Sequence, residues 1–149
     1  MMQDATSTQL PWSSTKSVST VTSINRHPKP GKAKVYGAII RSPSNRYVLV
    51  QGRQTEKWSY PKGHPNRFET PFECVGREVA EEIGIDSLPV PKRGIPLRVG
   101  YYYLFDVEEE FPLKPRDTAE VMNAGWFTVE EMLRMRLNVD ASLAITLLE

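Results

Sequence analysis

The sequence predicts a mixed β-sheet flanked by helices, a fold of the α/β (α+β) class, and three observations support this prediction. The first is the pair of apolar, β-branched runs Val35 to Arg41 and Tyr47 to Gln51, separated by a polar turn. The second is one strongly signalled helix after Thr70. The third is that strand-like and helix-like segments are interspersed without a strict βαβ alternation, which favours a mixed sheet.

The strands can be assigned in chain order. The turn Ser42-Pro43-Ser44-Asn45 joins the first two runs, so they are predicted to form a β-hairpin. Trp58-Ser59-Tyr60 predicts a short extended piece that Pro61 ends. The later segments, in order, are a long strand over Leu97 to Val107, a polar loop over Glu108 to Thr118, and a strand that ends at Trp126-Phe127.

Three helices follow from local signals. Thr70 to Glu73 combines a capping box with a proline at the first helical position, and Gly84 supplies a C-terminal cap. The apolar residues of this helix fall on one face, which predicts the side that packs on the core: Phe72, Val75, Val79 and Ile83. A second capping-box pattern over Thr128 to Glu131 predicts a short helix, and the residues from Ala141 onward predict a final one.

Length and composition suit one folded domain preceded by a tail. The 149 residues are enough to bury a core without disulfides, and Cys74 is the only cysteine. Residues 1–30 are rich in Ser and Thr and show no convincing periodicity, so they are predicted to be a flexible tail, with the folded domain over 31–149. No apolar run approaches the ~20 residues of a transmembrane helix, and no N-terminal stretch reads as a signal peptide.

Three glutamates on the strongest helix form a candidate metal site. Glu78, Glu81 and Glu82 stand at i, i+3 and i+4, so they share one side of the helix. With Val79 facing the core, Glu78 and Glu82 flank the apolar face and Glu81 lies further out. Close carboxylates repel one another, and a hard cation such as Mg²⁺ or Mn²⁺ offsets that repulsion. Taken alone, the pattern is more often a solvated, glutamate-rich surface.

Cations are concentrated ahead of this helix. Ten Lys and Arg residues lie from Arg26 to Arg67, and Glu56 is the only acid among them. A basic region beside an acidic cluster suits a polyanionic substrate held by direct contacts and by a metal. The alternative is an ordinary basic surface, since several of these side chains must point away from any one site.

The spacing around the glutamates makes the signal specific. The stretch from Gly63 to Ile85 resembles the Nudix box with every specified position filled, namely Gly63, Glu69, Arg77-Glu78, Val79, Glu81-Glu82 and Gly84-Ile85. The resemblance implies a Nudix-type α/β/α sandwich around a mixed β-sheet, a catalytic loop–helix–loop motif, and hydrolysis of a diphosphate bond. It also implies that Mg²⁺ or Mn²⁺ is the cofactor, with more than one ion bound.

The same resemblance implies a role for each position. The metal ligands would be the backbone carbonyl of Gly63 and the carboxylates of Glu78, Glu81 and Glu82. Glu81 would also assist the attacking water and so count as catalytic. Glu69 and Arg77 would pair to brace the loop against the helix, a structural role.

A general base outside the box is a further catalytic candidate. Glu120 to Phe127 resembles the stretch before the Trp-Phe pair of mRNA-decapping enzymes, in which a glutamate six residues before the tryptophan takes a proton from water. The resemblance therefore assigns this role to Glu120. A loop acid without a catalytic role is the alternative, and Glu108 to Glu110 are weaker candidates for the base.

The sequence around the box narrows the substrate. Residues 34–131 resemble two Nudix groups, the diphosphoinositol and diadenosine polyphosphate hydrolases and the Nudix domain of mRNA-decapping enzymes. In decapping enzymes, a basic helix that binds RNA follows the Nudix domain. Here Ala141 to Glu149 contain no Lys or Arg. RNA binding needs several phosphate contacts, so the expected partner is a small polyanion and capped RNA is the second choice. A silent module that binds a phosphorylated ligand is an alternative of another class, which the three intact glutamates disfavour.

Diphosphoinositol polyphosphates are the favoured substrates, with diadenosine polyphosphates as a further possibility. The cations expected to bind the phosphates are Lys32, Lys34, Arg53, Lys57, Lys62 and His64. Adenine would need an aromatic partner, for which Tyr101 to Tyr103 are candidates, although alternating strand residues more often pack. Since the family includes cytosolic enzymes and effectors delivered into host cells, we expect a cytoplasmic protein or, if a signal peptide has been removed, a secreted one.

Overall fold

A mixed sheet forms the centre of the fold in the computed structural model, which describes Lys29 and residues 31–148. Within these residues the sheet has seven strands: β1 (Val35–Arg41), β2 (Tyr47–Gly52), β3 (Trp58–Ser59), β4 (Lys62–Gly63), β5 (Arg93–Pro96), β6 (Gly100–Asp106) and β7 (Val121–Phe127). β1 and β6 run parallel, and the other pairings between these strands are antiparallel. This is the mixed sheet that the sequence predicts.

The short strand β4 pairs with β1, a central strand of the sheet. The order of the strands is β3-β2-β1-β6-β5, with β7 paired to β2 and β4 paired to β1. β1 and β2 meet at their hairpin turn, where Arg41 lies opposite Tyr47. At the other end of β1, Tyr36 pairs with Gly63 and Gly37 pairs with Lys62. The chain around Gly63 is therefore anchored to a central strand immediately before it enters the helix.

Helices cover both faces of the sheet. Helix α1 (Pro71–Ile83) packs its apolar side on one face, whereas α2 (Val129–Met132) and α3 (Val139–Leu148) pack on the other. Side chains alternate between the two faces along β1, so Ile40 belongs to the core beneath α1 and Ile39 to the opposite core. The result is the predicted α/β/α sandwich.

The local signals of α1 act as the sequence predicts. The Thr70 hydroxyl accepts the N–H of Glu73 at 3.1 Å, and the Glu73 carboxylate accepts the N–H of Thr70 at 3.0 Å. Gly84 has a φ of 77° and donates its N–H to the carbonyl of Ala80, which closes the last turn. The four predicted apolar residues are buried, so the predicted helix and its core face are confirmed.

The long strand predicted over Leu97 to Val107 is wrong at its beginning. β6 begins only at Gly100, and Leu97 to Val99 form the turn that joins it to β5. The sequence does not predict β5, which runs antiparallel to β6. The N–H of Leu97 donates to the carbonyl of Gly100 at 2.9 Å and closes the turn. Asp140 of α3, which is buried, accepts the N–H of Val99 at 3.0 Å and so ties this turn to the helical layer.

The structure describes more of the C-terminal end of the chain than of the N-terminal end. The tail predicted over residues 1–30 lies, apart from Lys29, outside the described residues. Helix α3 begins at Val139, two residues before the predicted position, and is described as far as Leu148. In the part of the chain that the structure covers, no helix is long and apolar enough to cross a membrane.

Candidate active site

An open cleft of about 930 Å³ lies beside α1 and β4. Its other sides come from the loop between β2 and β3 and from the segment that leads into β7. The acids that line it are Glu78, Glu81, Glu82, Asp117 and Glu120, and the basic residues are Arg53, Lys57, Lys62, His64 and Arg77. The fold therefore gathers all three helical glutamates, the candidate base and most of the predicted cations around one space.

The three glutamates of α1 differ in burial. Glu78 and Glu82 are only 8% and 7% exposed, because they flank the buried Val79, whereas the side chain of Glu81 is 42% exposed. Burial raises the pKa of Glu78 to about 7. Burial and repulsion from Glu78 raise the pKa of Glu82 to about 8. Two buried carboxylates in this environment favour either a proton or a cation.

Helix α1 holds the chain before it through three consecutive residues. The contacts run from the N–H of Lys62 to Glu82 at 3.2 Å, from the thiol of Cys74 to the carbonyl of Gly63 at 3.4 Å, and from Arg77 to the carbonyl of His64 at 2.9 Å. A Cβ atom on Gly63 would collide with the carboxylate of Glu78. Only glycine therefore lets the strand approach the helix this closely, and the Gly63 backbone lies against the buried carboxylates.

Arg77 connects the loop before α1 to the helix. Its guanidinium donates to both oxygens of Glu69, at 2.8 and 3.0 Å, and this pairing lowers the pKa of Glu69. Glu69 also accepts the N–H of Asn66 at 2.8 Å. The Nη1 atom of Arg77 reaches Glu78 at 3.0 Å and Glu81 at 3.3 Å. One side chain thus fixes the loop and also contacts two of the candidate metal ligands.

The donor atoms fit a hard divalent cation. Three carboxylates and the backbone carbonyl of Gly63 supply oxygen ligands, which Mg²⁺ and Mn²⁺ prefer. Among the described residues, no group of three His, Cys, Asp or Glu side chains is close enough together to enclose an ion. Glu81, as the exposed member of the three, has the most room to turn toward an ion.

Glu120 lines the same cleft at the residue before β7. Its charge contributes to the raised pKa of both Glu78 and Glu82, so it acts electrostatically on the two buried carboxylates. Its carbonyl accepts the N–H of Arg53 at 2.8 Å, and its own N–H donates to the carbonyl of Asp117 at 3.3 Å. The exposed carboxylate is free of the packing that buries the other two.

The predicted substrate cations divide into two groups. The four that line the cleft are Arg53, Lys57, Lys62 and His64. Lys32 and Lys34 are exposed but do not line it. They precede β1, whereas the cleft is built by the segments that follow β2 and β4 and that precede β7. Arg41, from the same basic stretch, is held by Asp106 through bonds of 2.6 and 3.0 Å.

Two weaker candidates lie away from the cleft. Glu108 to Glu110 do not line it, and the Glu110 carboxylate accepts the hydroxyls of Ser42 and Ser44 at 2.9 and 2.7 Å. Tyr101 to Tyr103 are 1%, 1% and 6% exposed. They pack into the two cores on either face of the sheet, so they cannot stack on a substrate base.

Several residues of the cleft were not singled out from the sequence. They are Gln54, Thr55, Ser59, Asn66, Asp117 and Asn138. Loop residues of this kind carry no periodic signal. The contact of Cys74 with Gly63 could have been predicted from the sequence. Cys74 stands one helical turn before Glu78, and this i, i+4 spacing places it on the side of α1 that faces β4.

Comparison with known proteins identifies the family to which the sequence belongs. The NUDIX domain profile matches residues 31–147. The m7GpppN-mRNA hydrolase of Saccharomyces cerevisiae is 31% identical over 102 residues, which are 64% of this chain and 10% of that protein. The mRNA-decapping enzyme subunit 2 of Arabidopsis thaliana is 29% identical over 109 residues, 68% of this chain and 29% of that protein. The chain thus spans less than a third of the length of these relatives.

Solved structures share the fold at lower identity. An Ap4A hydrolase binary complex from C. elegans has a TM-score of 0.59 and 19% identity, covering 77% of this chain and 92% of that one. A MutT protein from Methanosarcina mazei Go1 has a TM-score of 0.61 and 23% identity, covering 85% and 96%. Because the NUDIX domain match extends over 31–147 and the sheet, helices and filled box agree with it, the chain belongs to the Nudix family of hydrolases.

Proposed function

We propose that this Nudix hydrolase cleaves a diphosphate bond in diphosphoinositol polyphosphates. The observation that carries the proposal is the lining of the cleft: among the described residues it includes Arg53, Lys57, Lys62 and His64 but no Phe, Tyr or Trp side chain. Such a lining favours a compact ligand that is dense in phosphate over a ligand that carries a flat base.

The lack of Phe, Tyr and Trp in the described lining of the cleft disfavours nucleotides as substrates. Stacking of a base on an aromatic side chain contributes about 1–3 kcal/mol per base to binding. The indole of Trp58 packs edge-on against Phe127 with ring centroids 5.0 Å apart, and that of Trp126 packs against Phe111 at 5.2 Å. These rings are engaged in the fold, as are the buried tyrosines of β6, whereas Phe68 is exposed but does not line the cleft. Within the described residues, the lining therefore offers neither adenine nor a cap guanine a Phe, Tyr or Trp ring on which to stack.

The cations suit a ring of phosphates. Arg binds two phosphate oxygens through its planar fork, and Lys acts as a mobile point charge. The volume of about 930 Å³ lies near the upper end of the range for small-molecule sites. Apart from Arg77, the cations of the cleft stand on other segments of the chain than the acids. The reacting diphosphate can therefore lie beside α1 while the other phosphates contact Lys57 and Arg53.

The chemistry follows from the placement of the acids. Nudix hydrolases use divalent metal ions, which here would be held by Glu78, Glu81, Glu82 and the carbonyl of Gly63, would neutralise phosphate charge and would make water a better nucleophile. Glu120 then takes the proton as water attacks phosphorus, and the bond from that phosphorus to the bridging oxygen breaks. Lys62, beside Gly63, stabilises the charge that develops on the leaving phosphate.

The direct test is release of phosphate from diphosphoinositol pentakisphosphate with Mg²⁺, run beside diadenosine pentaphosphate and capped RNA. The Glu81→Gln protein serves as the blank. We expect the inositol substrate to give the highest kcat/KM. Equal or faster release of nucleotide from either of the other substrates would contradict the proposal, and no turnover of any of the three would favour a silent binding module.

Decapping of mRNA is the second candidate, because a specific observation supports it. The relatives with 31% and 29% identity are decapping enzymes, and Glu120 to Phe127 resembles their stretch before the Trp-Phe pair. RNA binding would show as a steep loss of affinity with salt, since each phosphate contact releases counterions. We expect only a shallow salt dependence for capped RNA, because the cations of the cleft form one small cluster.

A further inference from the structure

Arg53 is joined to the segment that carries Glu120 by two hydrogen bonds. Its backbone N–H donates to the carbonyl of Glu120 at 2.8 Å, and its side-chain Nε donates to the carbonyl of Thr118 at 3.0 Å. The first bond continues the pairing of β2 with β7 beyond the register shift between Gln51 and Gly52. The second bond comes from the side chain, so it depends on the identity of residue 53.

The loop that carries Arg53 is closed by its own hydrogen bonds. The N–H of Gly52 donates to the carbonyl of Lys57 at 3.0 Å, and the N–H of Glu56 donates to the carbonyl of Gly52 at 2.9 Å. The side-chain amide of Gln51 donates to the carbonyl of Glu56 at 3.0 Å. The side chain of Arg53 therefore projects from a backbone that is already fixed.

The segment opposite is held less firmly by its own contacts. Thr118, Ala119 and Glu120 are all exposed. The N–H of Glu120 donates to the carbonyl and to the carboxylate of Asp117, but both distances are 3.3 Å, at the long end for such bonds. The segment is anchored at its ends, where the N–H of Asp117 donates to the carbonyl of Glu81 at 2.9 Å and the N–H of Val121 donates to the carbonyl of Asp117 at 3.0 Å. Between these anchors, the bonds from Arg53 to the carbonyls of Thr118 and Glu120 are the shortest among the described residues.

The guanidinium of Arg53 has a second edge. Nε is used on Thr118, and within the described residues neither Nη1 nor Nη2 has a hydrogen bond or an ion pair to the protein. Arg53 lines the cleft. Because the guanidinium is planar, its terminal nitrogens can bind a phosphate while Nε keeps its bond to the carbonyl.

We propose that Arg53 is a positioning residue for Glu120 that also binds a non-reacting phosphate of the substrate. The inference rests on the proposed function, because it takes Glu120 as the base. The inference distinguishes Arg53 from Lys57, which lines the same cleft. Within the part of the chain that the structure describes, the hydrogen bonds of Lys57 are made by its backbone and stay in its own loop. Loss of Arg53 should therefore reduce both substrate binding and the rate of the chemical step, whereas loss of Lys57 should reduce binding.

A double-mutant cycle tests the inference with diphosphoinositol pentakisphosphate and Mg²⁺. Loss of a general base costs about 100-fold or more in kcat, which we expect for Glu120→Gln. Arg53→Ala should lower kcat about 10-fold and raise KM about 10-fold, but in the Glu120→Gln background it should raise KM alone. Arg53→Lys should restore KM and leave kcat low, because one ammonium group cannot bind the carbonyl of Thr118 and a substrate phosphate at the same time. Lys57→Ala is the matched control and should raise KM in both backgrounds.

Amide hydrogen exchange adds a readout that does not depend on activity. Residues 117–121 should exchange faster in Arg53→Ala than in the wild type, and at the wild-type rate in Lys57→Ala. The inference is overturned if Arg53→Ala lowers kcat equally in both backgrounds, if Arg53→Lys restores kcat, or if exchange is unchanged. A wild-type kcat for Glu120→Gln would instead remove Glu120 as the base. If the wild type turned over no inositol substrate, the proposed substrate would fail, and exchange alone would still decide whether Arg53 holds the segment.

Discussion

Arg77 and Glu69 form a two-pronged ion pair across the loop that precedes α1. The Nε and Nη2 atoms of Arg77 donate to the two oxygens of Glu69 at 2.8 and 3.0 Å, and only 25% and 12% of the two side chains are exposed. Because Nη1 of the same guanidinium contacts Glu78 and Glu81, the geometry of the loop and that of the candidate metal ligands depend on one residue.

Replacing Arg77 with lysine should therefore affect stability and activity together. Lysine keeps the charge but cannot bond both oxygens of Glu69 and reach the other two glutamates. We expect a loss of about 1 kcal/mol, which lowers Tm by about 3 °C for a domain of this size, and a fall of at least about 10-fold in kcat/KM. Thermal melting and the inositol assay measure the two effects.

The chain offers a matched control for this substitution. Arg116 makes the same two-pronged contact with Asp86, at 2.9 and 3.0 Å, but both side chains are largely exposed and neither residue lines the cleft. Arg116→Lys should leave Tm and activity close to those of the wild type, since exposed ion pairs contribute little. If Arg77→Lys behaved like this control, the bracing role of Arg77 would be contradicted.

The buried carboxylate of Glu82 should make the metal-free protein less stable at high pH. Its pKa is raised from 4.5 to about 8 in the folded state, so between these values the folded state binds more protons and the free energy of unfolding falls as pH rises. Glu82→Gln removes this contribution. In a metal chelator the variant should be more stable than the wild type at pH 8, by on the order of 2 kcal/mol, and nearly equal to it at pH 5.

Thermal melting at the two pH values measures the effect of Glu82. Addition of Mg²⁺ at pH 8 should raise Tm of the wild type more than that of Glu82→Gln, because the cation replaces the proton as the partner of the carboxylate. Parallel pH profiles for the two metal-free proteins would show that burial of Glu82 carries no penalty.

Glu81→Gln should separate folding from catalysis. The side chain is 42% exposed and has one long contact, to Arg77 at 3.3 Å, so we expect Tm within about 1 °C of the wild type. Loss of a ligand carboxylate that assists water should lower kcat about 100-fold or more. Retention of activity in the folded variant would remove Glu81 from the catalytic set.

Gly63→Ala should disturb the site through sterics alone. The new Cβ would collide with the Glu78 carboxylate, and overpacking of this kind costs about 1–3 kcal/mol. Gly52→Ala is a control for stability, because its Cβ would make ordinary contacts at 3.8 and 4.0 Å. We expect Gly63→Ala to lower Tm and weaken Mn²⁺ binding, measured by calorimetry, and Gly52→Ala to leave Tm unchanged. Equal melting of the two variants would contradict the close approach.

Lys62→Gln should discriminate between substrates. Loss of a cation beside Gly63 weakens the hold on a ring of phosphates more than on a linear polyphosphate chain. We expect KM for diphosphoinositol pentakisphosphate to rise about 10-fold and KM for diadenosine pentaphosphate to rise less than about 3-fold. Lys34→Gln, outside the cleft, is the control and should change neither. Equal rises for both substrates would count against inositol selectivity.

The parts of the fold that the sequence predicts well are those with strong local signals. Helix α1 has a capping box, a first-turn proline, a terminal glycine and one apolar face, so its bounds and its buried residues follow directly. The start of β6 escapes prediction, because Leu97 and Val99 continue the apolar run of Tyr101 to Phe105 on its N-terminal side although they lie in the turn after β5. The turn at the break is also held by the distant Asp140, whose carboxylate accepts the N–H groups of Val99 and Gly100, and no local pattern reveals this contact.

The residues of the candidate site also differ in how well the sequence predicts them. The glutamates of α1 are predictable because a fixed helical spacing brings them together. The cations are not, because each reaches the cleft or misses it through its place in the sheet. Lys34 and Lys57 each stand immediately before a strand, yet of these two only Lys57 lines the cleft. The contact of Arg53 with Thr118 joins residues 65 positions apart, and sequence reasoning carries no information at that range.

The attachment of residues 62–64 to α1 has an evolutionary consequence. The carboxylates of α1 and the strand beside them are bound to each other, and the N–H of Asp117 donates to the carbonyl of Glu81 in the same helix at 2.9 Å. The loop at 52–57 faces these residues from the other side of the cleft. Substitutions in this loop at positions other than Arg53 can change the ligand while the carboxylates of α1 and the proposed base Glu120 stay in place. A lineage can therefore exchange one phosphorylated substrate for another by drift at its surface loops, while the hydrolytic machinery is inherited intact.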